Sequence, residues 1–454
     1  MVDPNPTAAR PAWPLVERAI DLLQARRDDE AEPLLRQALE LDPHDPDALQ
    51  FMGMWCQARN RTAEAEQWVR RSLEVLPANA GALNNLANLL VLQGRADEAL
   101  TAYERALALT DGTPQAAPTL ANVTLLHLNR QRLPEAEAAG RRAVQADDQF
   151  ATGWFVLSRA LIDSGKIKEG LLANSRGVLL VHANRDQMPA DEQLERGQVL
   201  HALLMVGERD EAIRMYREWL AEEPDNAVVQ HQLQAALNTD APPRASDAYV
   251  AQMFDAFSGT FDSKLASLGY RAPELIAQAL QAAAGEPGAS LDICDAGCGT
   301  GWCGPMVRPW ARRLAGCDLS VGMLRRARDR QCYDALHRAE LVYYLDTQPE
   351  AFDVVMAADV LCYFGELEGA FAAALRALRG GGWLLFSVEA MADPASTPHR
   401  LMPSGRYVHH ANYLRETLCA AGFDDPRLQG ETLRAETGAP VKGWVVSARK
   451  PRPA

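Results

Sequence analysis

The chain has 454 residues, of which 48% are hydrophobic and 23% are charged, and its formal net charge is −14. This composition excludes a fibrous or disordered chain, the length predicts two or three domains, and the negative charge disfavours nucleic acid as a partner. No stretch approaches the ~20 apolar residues that span a bilayer, and the first residues lack the pattern of a signal peptide, so we expect a cytoplasmic protein without a membrane partner.

A small residue recurs at a fixed spacing in the first half of the chain. Ala31, Ala65 and Ala99 are 34 residues apart, and Pro43 and Pro77 follow the same register. Small residues at this period are typical of helix hairpins whose two helices touch, and the proline recurs where the second helix ends. The pattern resembles the tetratricopeptide repeat, which implies an all-α superhelix of stacked helix pairs.

The repeats predict a first domain over residues 12–239. They form about six units, with an insertion at 184–191 before the sixth. A final helix near 227–237 is expected to cap the apolar end of the stack, and the sequence NTDAPPRAS then predicts a linker.

Stacked repeats generally bind a peptide or a partner protein in a concave groove. Asn85 and Asn122 occupy the same position in consecutive units, which resembles the asparagine ladder by which the repeats of protein O-GlcNAc transferase hold a peptide backbone. An amide both donates and accepts hydrogen bonds, so such a row can bind any backbone. The alternative is that both are ordinary solvated asparagines on a helix surface.

A glycine-rich turn follows the first apolar strand of the second half. The sequence LDICDAGCGTGWCG over 291–304 predicts strand, turn and helix, with Asp295 ahead of Gly297, Gly299 and Gly301. The glycines let a ligand approach the backbone closely, whereas Asp295 would repel a pyrophosphate there and favours a cationic ligand. Asp318 ends the next strand, where a carboxylate can accept two ribose hydroxyls.

Two further strand ends complete the expected nucleoside site. Glu340 and Leu341 follow a third strand, where the carboxylate can accept from an adenine amino group, and a fourth strand ends near Ala358. The order of elements fits an open α/β sheet. Five of the eight cysteines lie between Cys294 and Cys332, but they lack the paired spacing of zinc ligands, so we expect no metal.

These features resemble the class I S-adenosylmethionine-dependent methyltransferases over residues 249–450, and DAGCGTG is close to the family's first motif. The resemblance implies S-adenosylmethionine as cofactor and a Rossmann-like, mostly parallel seven-stranded sheet that ends in an antiparallel hairpin. It also implies cofactor contacts from Leu319, Met323 and Phe261, although the last stands where many relatives have tyrosine. Glu340 replaces the more usual aspartate. The combination with repeats resembles a bacterial group of predicted tetratricopeptide-repeat methyltransferases.

The candidates for contact with the methyl acceptor are Tyr363, Glu389 at the end of the fifth strand, and residues of the segment SGRYVHH. Tyr363 follows the fourth strand at a position where relatives often have histidine, and Arg406, Tyr407 and His409 lie in SGRYVHH, ahead of a predicted helix. His409, or the adjacent His410, could act as a general base, and Arg406 could hold a substrate carboxylate. Loop anchoring and helix capping are the alternative roles.

Three functions remain open from the sequence. The first is methylation of a protein or peptide that the repeat groove recruits to the active site. The second is methylation of a carboxylic acid or natural-product intermediate, with the repeats docking to a protein. The third is a scaffold that binds the cofactor without transferring methyl groups. Self-association through the repeats stays open, as does the identity of the partner.

Overall fold

In the computed structural model, which describes residues 11–184, 194–237, 241–391 and 397–452, the chain divides into two compact units between Val206 and Gly207. Most of the insertion predicted at 184–191, and the first residues of the predicted linker, lie outside the described residues. Among the described helices, we find none with the length and hydropathy that a bilayer-spanning helix needs.

The first unit is helical, as the repeat pattern predicts. Its helices are α1 (Trp13–Gln24), α2 (Asp28–Leu41), α3 (Pro46–Ala58), α4 (Thr62–Val75), α5 (Ala80–Leu92), α6 (Ala96–Thr110), α7 (Ala116–Asn129), α8 (Leu133–Ala146), α9 (Ala151–Asp163), α10 (Ile167–Ala183) and α11 (Arg196–Val206).

Close helix contact explains the recurring small residues. Ala31, Ala65 and Ala99 lie in α2, α4 and α6 and are completely buried. At Gly53, a Cβ would lie 2.6 Å from a methyl carbon of Val69, so α3 and α4 leave no room for a larger side chain there. The all-α repeat architecture predicted for this part of the chain is confirmed.

The second unit combines helices with a mixed sheet. Its helices are α12 (Arg209–Glu222), α13 (Ala227–Leu237), α14 (Asp247–Phe257), α15 (Phe261–Ser267), α16 (Ala272–Ala284), α17 (Cys303–Val307), α18 (Val321–Asp329), α19 (Leu341–Asp346), α20 (Glu368–Ala377) and α21 (Ala411–Ala421). Its strands are β1 (Leu291–Ala296), β2 (Ala311–Asp318), β3 (Ala335–Arg338), β4 (Phe352–Ala357), β5 (Leu378–Ala390), β6 (His399–Leu401), β7 (Tyr407–His409), β8 (Asp424–Glu436) and β9 (Ala439–Arg449).

The sheet has the order β3-β2-β1-β4-β5, and these five strands are parallel. β9 pairs antiparallel with both β5 and β8, which forms the predicted closing hairpin. Helices cover both faces: Phe371 and Leu414 pack on one side, and Ile276 and Val307 pack on the other. Burial on both faces explains the nearly continuous apolar runs of β1 and β4.

Within the described residues the sheet has nine strands, two more than the seven predicted. The additional strands are short: β7 pairs with the end of β5, and β6 pairs with β7. The stretch SGRYVHH, expected to be a loop, therefore contributes β7 to the sheet.

The last two helices that the repeat pattern predicts, α12 and α13, belong to the second compact unit. His231 of α13 stacks on Tyr249 at a centroid distance of 3.9 Å, and its Nε2 lies 2.9 Å from the carbonyl oxygen of Gly405. The carbonyl of Pro243 accepts a hydrogen bond from the backbone of Gly365. The domain limits 12–239 and 249–450 stay a prediction from sequence.

Candidate active site

A cavity of about 320 Å³ lies at the carboxyl ends of the parallel strands. Asp295 near the end of β1, Asp318 at the end of β2 and Ala358 just after β4 all line it, and α14 and α15 supply the opposite wall. Parallel sheets place their ligand crevice at this edge because the chain connections diverge there. The structure therefore brings most of the sequence-predicted cofactor residues to one cavity.

The glycine turn after β1 has left-handed backbone at all three predicted glycines, with φ of +79° at Gly297, +53° at Gly299 and +78° at Gly301. Gly297 and Gly299 line the cavity. A Cβ at Gly299 would meet nothing within 4 Å, so a larger side chain would enter open space there. Gly301 is not on the cavity wall: a Cβ there would lie 2.9 Å from the Tyr333 ring and 3.1 Å from Cα of Ala327.

Asp295 is a buried carboxyl with one described hydrogen-bond donor. Its side chain is 1% exposed, and the Tyr333 hydroxyl donates to Oδ2 at 2.6 Å. Burial raises the pKa of Asp295 to about 7, against the opposing effect of the Tyr333 hydrogen bond. Because this pKa lies near neutral pH in the free protein, an approaching cation favours the ionised form of Asp295.

Asp318 is fixed by backbone donors. The N–H of Gly299 donates to Oδ2 at 3.0 Å, and the N–H of Ser320 donates to Oδ1 at 2.8 Å. Burial nonetheless raises the pKa of Asp318 above its ordinary value. Leu319 lines the cavity beside it, whereas Met323 of α18 is buried and is not part of the described lining.

Glu340 caps the short helix α19 and also lines the cavity with Leu341. Its Oε2 accepts the N–H of Tyr343 at 2.8 Å. Its Oε1 is buried and has no hydrogen-bond partner among the described residues. An orphaned buried acceptor is costly unless a ligand donates to it.

Aromatic side chains form the wall opposite the glycine turn. Phe254 makes edge contacts with both Phe261 and Tyr363, at centroid distances of 5.9 Å and 5.5 Å. All three line the cavity. Burial raises the pKa of the Tyr363 hydroxyl well above its ordinary value, so this group stays protonated at neutral pH.

A charged cluster of Asp359, Glu389, Arg406, Arg434 and Glu436 lies beyond Tyr363; all but Glu389 line the cavity. Nη1 of Arg434 donates to Asp359 at 2.7 Å, and Nη2 of Arg406 donates to Glu436 at 2.6 Å. Glu389 accepts from both arginines. Arg406 was predicted to hold a substrate carboxylate, but the structure shows it paired with carboxylates of the protein.

His409 does not lie on the described cavity wall. It is completely buried in β7, with Nε2 3.2 Å from the carbonyl oxygen of Gly365 and its ring stacked on Tyr413. Burial, followed by the neighbouring His399, lowers the pKa of His409 to about 4. The base role expected of His409 is therefore not supported by its position, because β7 directs this side chain into the packed interior.

Sequence reasoning missed Asp359, Arg434, Glu436 and Tyr333. Asp359 could have been found, because it comes just after the end of β4, much as Asp318 ends β2. Arg434 and Glu436 come from β8, and no local pattern indicated that they line this cavity. Tyr333 does not line the cavity but donates to Asp295, and no local pattern indicated this contact.

The predicted asparagine ladder lies in the first unit. Asn122 of α7 donates from Nδ2 to Oδ1 of Asn84 at 3.0 Å. Both Asn85 and Asn122 are partly exposed. Asn84, not Asn85, is thus the hydrogen-bond partner of Asn122, and a partner-binding role for Asn85 and Asn122 remains a prediction.

Family comparisons agree with this division of the chain. Residues 294–386 match the methyltransferase domain family, and residues 22–75 and 79–149 match two tetratricopeptide-repeat families. A malonyl-(acyl-carrier protein) O-methyltransferase from Serratia marcescens is 31% identical over 154 residues, which cover 34% of this chain and 57% of that protein. The chain thus spans little more than half the length of this curated relative.

Two solved structures are also similar to parts of the chain. A possible histamine N-methyltransferase from Thermotoga maritima is 17% identical, covers 44% of this chain and 99% of that chain, and has a TM-score of 0.34. PilF from Pseudomonas aeruginosa is 18% identical, covers 48% and 95% of the two chains, and also has a TM-score of 0.34. Over the matched residues, the chain carries tetratricopeptide repeats followed by an S-adenosylmethionine-dependent methyltransferase domain.

Proposed function

We propose that this protein transfers a methyl group from S-adenosylmethionine to a small acceptor group that a partner protein presents to the cavity. The observation that carries the proposal is one cavity whose lining combines three chemically different groups: a glycine turn with the carboxylates of Asp295 and Asp318, a set of aromatic side chains, and most of the charged cluster. Such a cavity can hold a nucleoside at one end and an acceptor at the other.

The residues at the glycine end suit this cofactor. S-adenosylmethionine supplies a methyl group activated by a sulfonium when it is bound. Asp295 complements the cationic end, Asp318 accepts from the ribose hydroxyls, and the orphaned Oε1 of Glu340 accepts from the adenine amino group. Around them, the cofactor contacts are Gly297, Gly299, Leu319, Leu341, Ala358 and Phe261. Gly301 and Met323 do not line the cavity, and they contribute to the packing of the glycine turn and of α18.

The aromatic wall sets the size of the acceptor. Phe254, Phe261 and Tyr363 help to bound a cavity of about 320 Å³, which is at the small end for a ligand pocket and would have to hold the cofactor as well as the acceptor. The apolar wall excludes water, and the protein's contribution to transfer is mainly to align the acceptor with the methyl group. A folded protein surface does not fit, whereas a side chain or a carrier-bound group does.

The repeats supply the second part of the proposal. Tetratricopeptide repeats generally mediate protein–protein interaction. The curated relative is named for an acceptor attached to a carrier protein. A partner held by the repeats would raise the local concentration of its acceptor group at the cavity.

The test is transfer of radiolabelled methyl from S-adenosylmethionine into lysate separated into macromolecules and small molecules. Gly299→Arg is the blank, because its side chain would enter the cavity space. Gly369→Arg is the matched control, because that glycine is exposed on α20 with nothing near its Cβ position.

We expect the label to appear in discrete macromolecules. It should be lost with Gly299→Arg and kept with Gly369→Arg. Label confined to small molecules would contradict the protein-presented acceptor and favour a free small-molecule substrate. Absence of label, with S-adenosylmethionine binding intact, would favour the non-catalytic scaffold.

A further inference from the structure

The charged cluster contains more carboxylates than guanidinium groups. Arg434 and Arg406 carry two positive charges, and Asp359, Glu389 and Glu436 carry three negative charges when ionised. The three nitrogens of Arg434 all donate to these carboxylates: Nη1 to Asp359 and Nε to Glu436, each at 2.7 Å, and Nη2 to Glu389. The fully paired cluster therefore has a formal charge of −1.

Arg406 offers no open fork for a substrate carboxylate. Its Nε donates to Glu389 at 2.5 Å and its Nη2 donates to Glu436 at 2.6 Å, so only Nη1 lacks a partner within the described part of the chain. A bidentate carboxylate contact needs two parallel N–H donors. A carboxylate acceptor would also bring a fourth negative charge beside two arginines that are already paired, in a site where charge repulsion is weakly screened.

Among the carboxylates of the charged cluster, Asp359 is the nearest in sequence to a proposed cofactor contact. It follows Ala358, which lines the cavity at the end of β4. Its backbone is left-handed, with φ of +54°, and this strained turn is held by Ser387, whose hydroxyl accepts from the Asp359 N–H and donates to Oδ1. Strained non-glycine backbone persists where the surroundings fix it, which is common at functional sites.

The groups around this carboxylate leave it able to accept a proton. Burial raises the pKa of Asp359 above its ordinary value, and Arg434 and Ser387 oppose that effect. The other charges facing it are Glu389 of β5, which raises the pKa, and Arg406 ahead of β7, which lowers it. The aromatic wall of Phe254 and Tyr363 also favours a cation over an anion.

Building on the proposed methyl transfer, we infer that the acceptor is an amine. It binds as an ammonium ion to the charged cluster, which has one carboxylate more than it has guanidinium groups, and Asp359 is its proton acceptor. The ammonium gives one proton to Asp359, which frees the nitrogen lone pair. The N–C bond then forms as the C–S bond breaks, and the electron pair leaves with the sulfur of S-adenosylhomocysteine. The product is an N-methylammonium ion. This separates the chain from its curated relative, whose name states O-methylation.

The chemistry of the transferred label tests the inference without knowledge of the substrate. Labelled macromolecules from the lysate assay are treated with mild base, which releases methyl esters as volatile methanol and leaves N-methyl groups in place. The remaining label is then hydrolysed in acid and applied to a cation exchanger. Base-stable label that the exchanger retains at neutral pH as a methylated amine is expected; base-labile or unretained label would overturn the inference while leaving the proposed methyl transfer intact.

A conservative variant provides the second measurement. Asp359→Asn keeps the size of the side chain and removes the proton acceptor, so we expect the initial rate of macromolecule labelling in the lysate assay to fall about 100-fold or more, with unchanged affinity for S-adenosylmethionine. Asp346→Asn, at an exposed ion pair with Arg376, is the matched control. Full activity of Asp359→Asn would refute the role of Asp359.

Discussion

The affinity for S-adenosylmethionine should depend on pH through Asp295. The pKa of this carboxyl in the free protein is about 7, and a cationic ligand binds the ionised form. The apparent Kd then scales as 1 + 10^(pKa − pH), which makes binding about 15-fold weaker at pH 5.5 than at pH 7. This window lies below the pKa of the cofactor's α-amino group, so the charge of the ligand stays constant.

The effect of pH on folding stability through Asp295 has the opposite sign to its effect on cofactor affinity. The pKa of Asp295 in the folded protein exceeds its ordinary value of 3.8, so its contribution to the stability of the free protein is present at low pH and is lost as the pH rises through about 7. Because the apparent Kd is lower at pH 7, the cofactor should stabilise the protein more strongly at neutral pH than at pH 5.5.

Isothermal titration calorimetry across this range, in buffers that differ in ionisation enthalpy, measures both Kd and the protons released. Asp295→Asn is the control, because its amide oxygen can still accept from the Tyr333 hydroxyl, which donates to Asp295 in the wild type. We expect weaker binding that changes little with pH in this variant. A wild-type Kd that stays constant from pH 5.5 to 7, or an equally steep profile in Asp295→Asn, would refute the assignment of Asp295 to the cationic end.

Three further substitutions separate cofactor binding, folding and partner binding. Asp318→Ala removes a carboxylate that two backbone N–H groups hold in place, and should weaken S-adenosylmethionine binding about 10- to 100-fold by calorimetry; an unchanged Kd would contradict the site. Gly301→Ala should lower the free energy of unfolding by about 1–3 kcal/mol in chemical denaturation, because its Cβ would press on Tyr333 in a left-handed backbone; unaltered stability would show that the turn can shift. Asn85→Ala combined with Asn122→Ala should reduce labelling of macromolecules without changing the cofactor Kd, and equal labelling would remove the asparagines from partner binding.

The architecture could be read from the sequence because its signals are local and periodic. The 34-residue recurrence of Ala31, Ala65 and Ala99 reflects close contact between neighbouring helices, and the structure buries all three. The turn around Gly299 needs left-handed backbone next to a ligand, and few residue types satisfy that requirement. Each of these constraints acts within one or two elements, so the residues reveal it without knowledge of the tertiary fold.

The charged cluster could not be predicted from the sequence in the same way. Arg434 lies on β8 and reaches Asp359 only because β8 pairs with β9 and β9 pairs with β5. Such a contact spans 75 residues of sequence and leaves no local pattern. The position of His409 could not be predicted for a related reason: a histidine near a strand end has the right chemistry for a base, but the register of β7 decides whether it faces the cavity or the interior.

Helix α13, which follows the sixth repeat, helps to position the charged cluster. His231 of α13 contacts the carbonyl of Gly405, and the next residue, Arg406, belongs to the charged cluster. A Cβ at Gly405 would lie 2.6 Å from the Tyr249 hydroxyl oxygen, so this turn has little freedom to move away. On the other side, the N–H of Ala245 donates to the carbonyl of Tyr363 at 2.8 Å.

Two separate contacts thus connect the segment before α14 to Tyr363 of the cavity wall and to Gly405, the residue before Arg406. A methyltransferase domain cut at Tyr249 would lose both contacts, and Arg406 and Tyr363 would each lose a neighbour that fixes the backbone beside it. The proposed cofactor carboxylates Asp295, Asp318 and Glu340 do not take part in either contact. We therefore expect such a truncation to reduce methyl transfer more than it reduces S-adenosylmethionine affinity, and an equal loss of both would contradict a separate positioning role of α13.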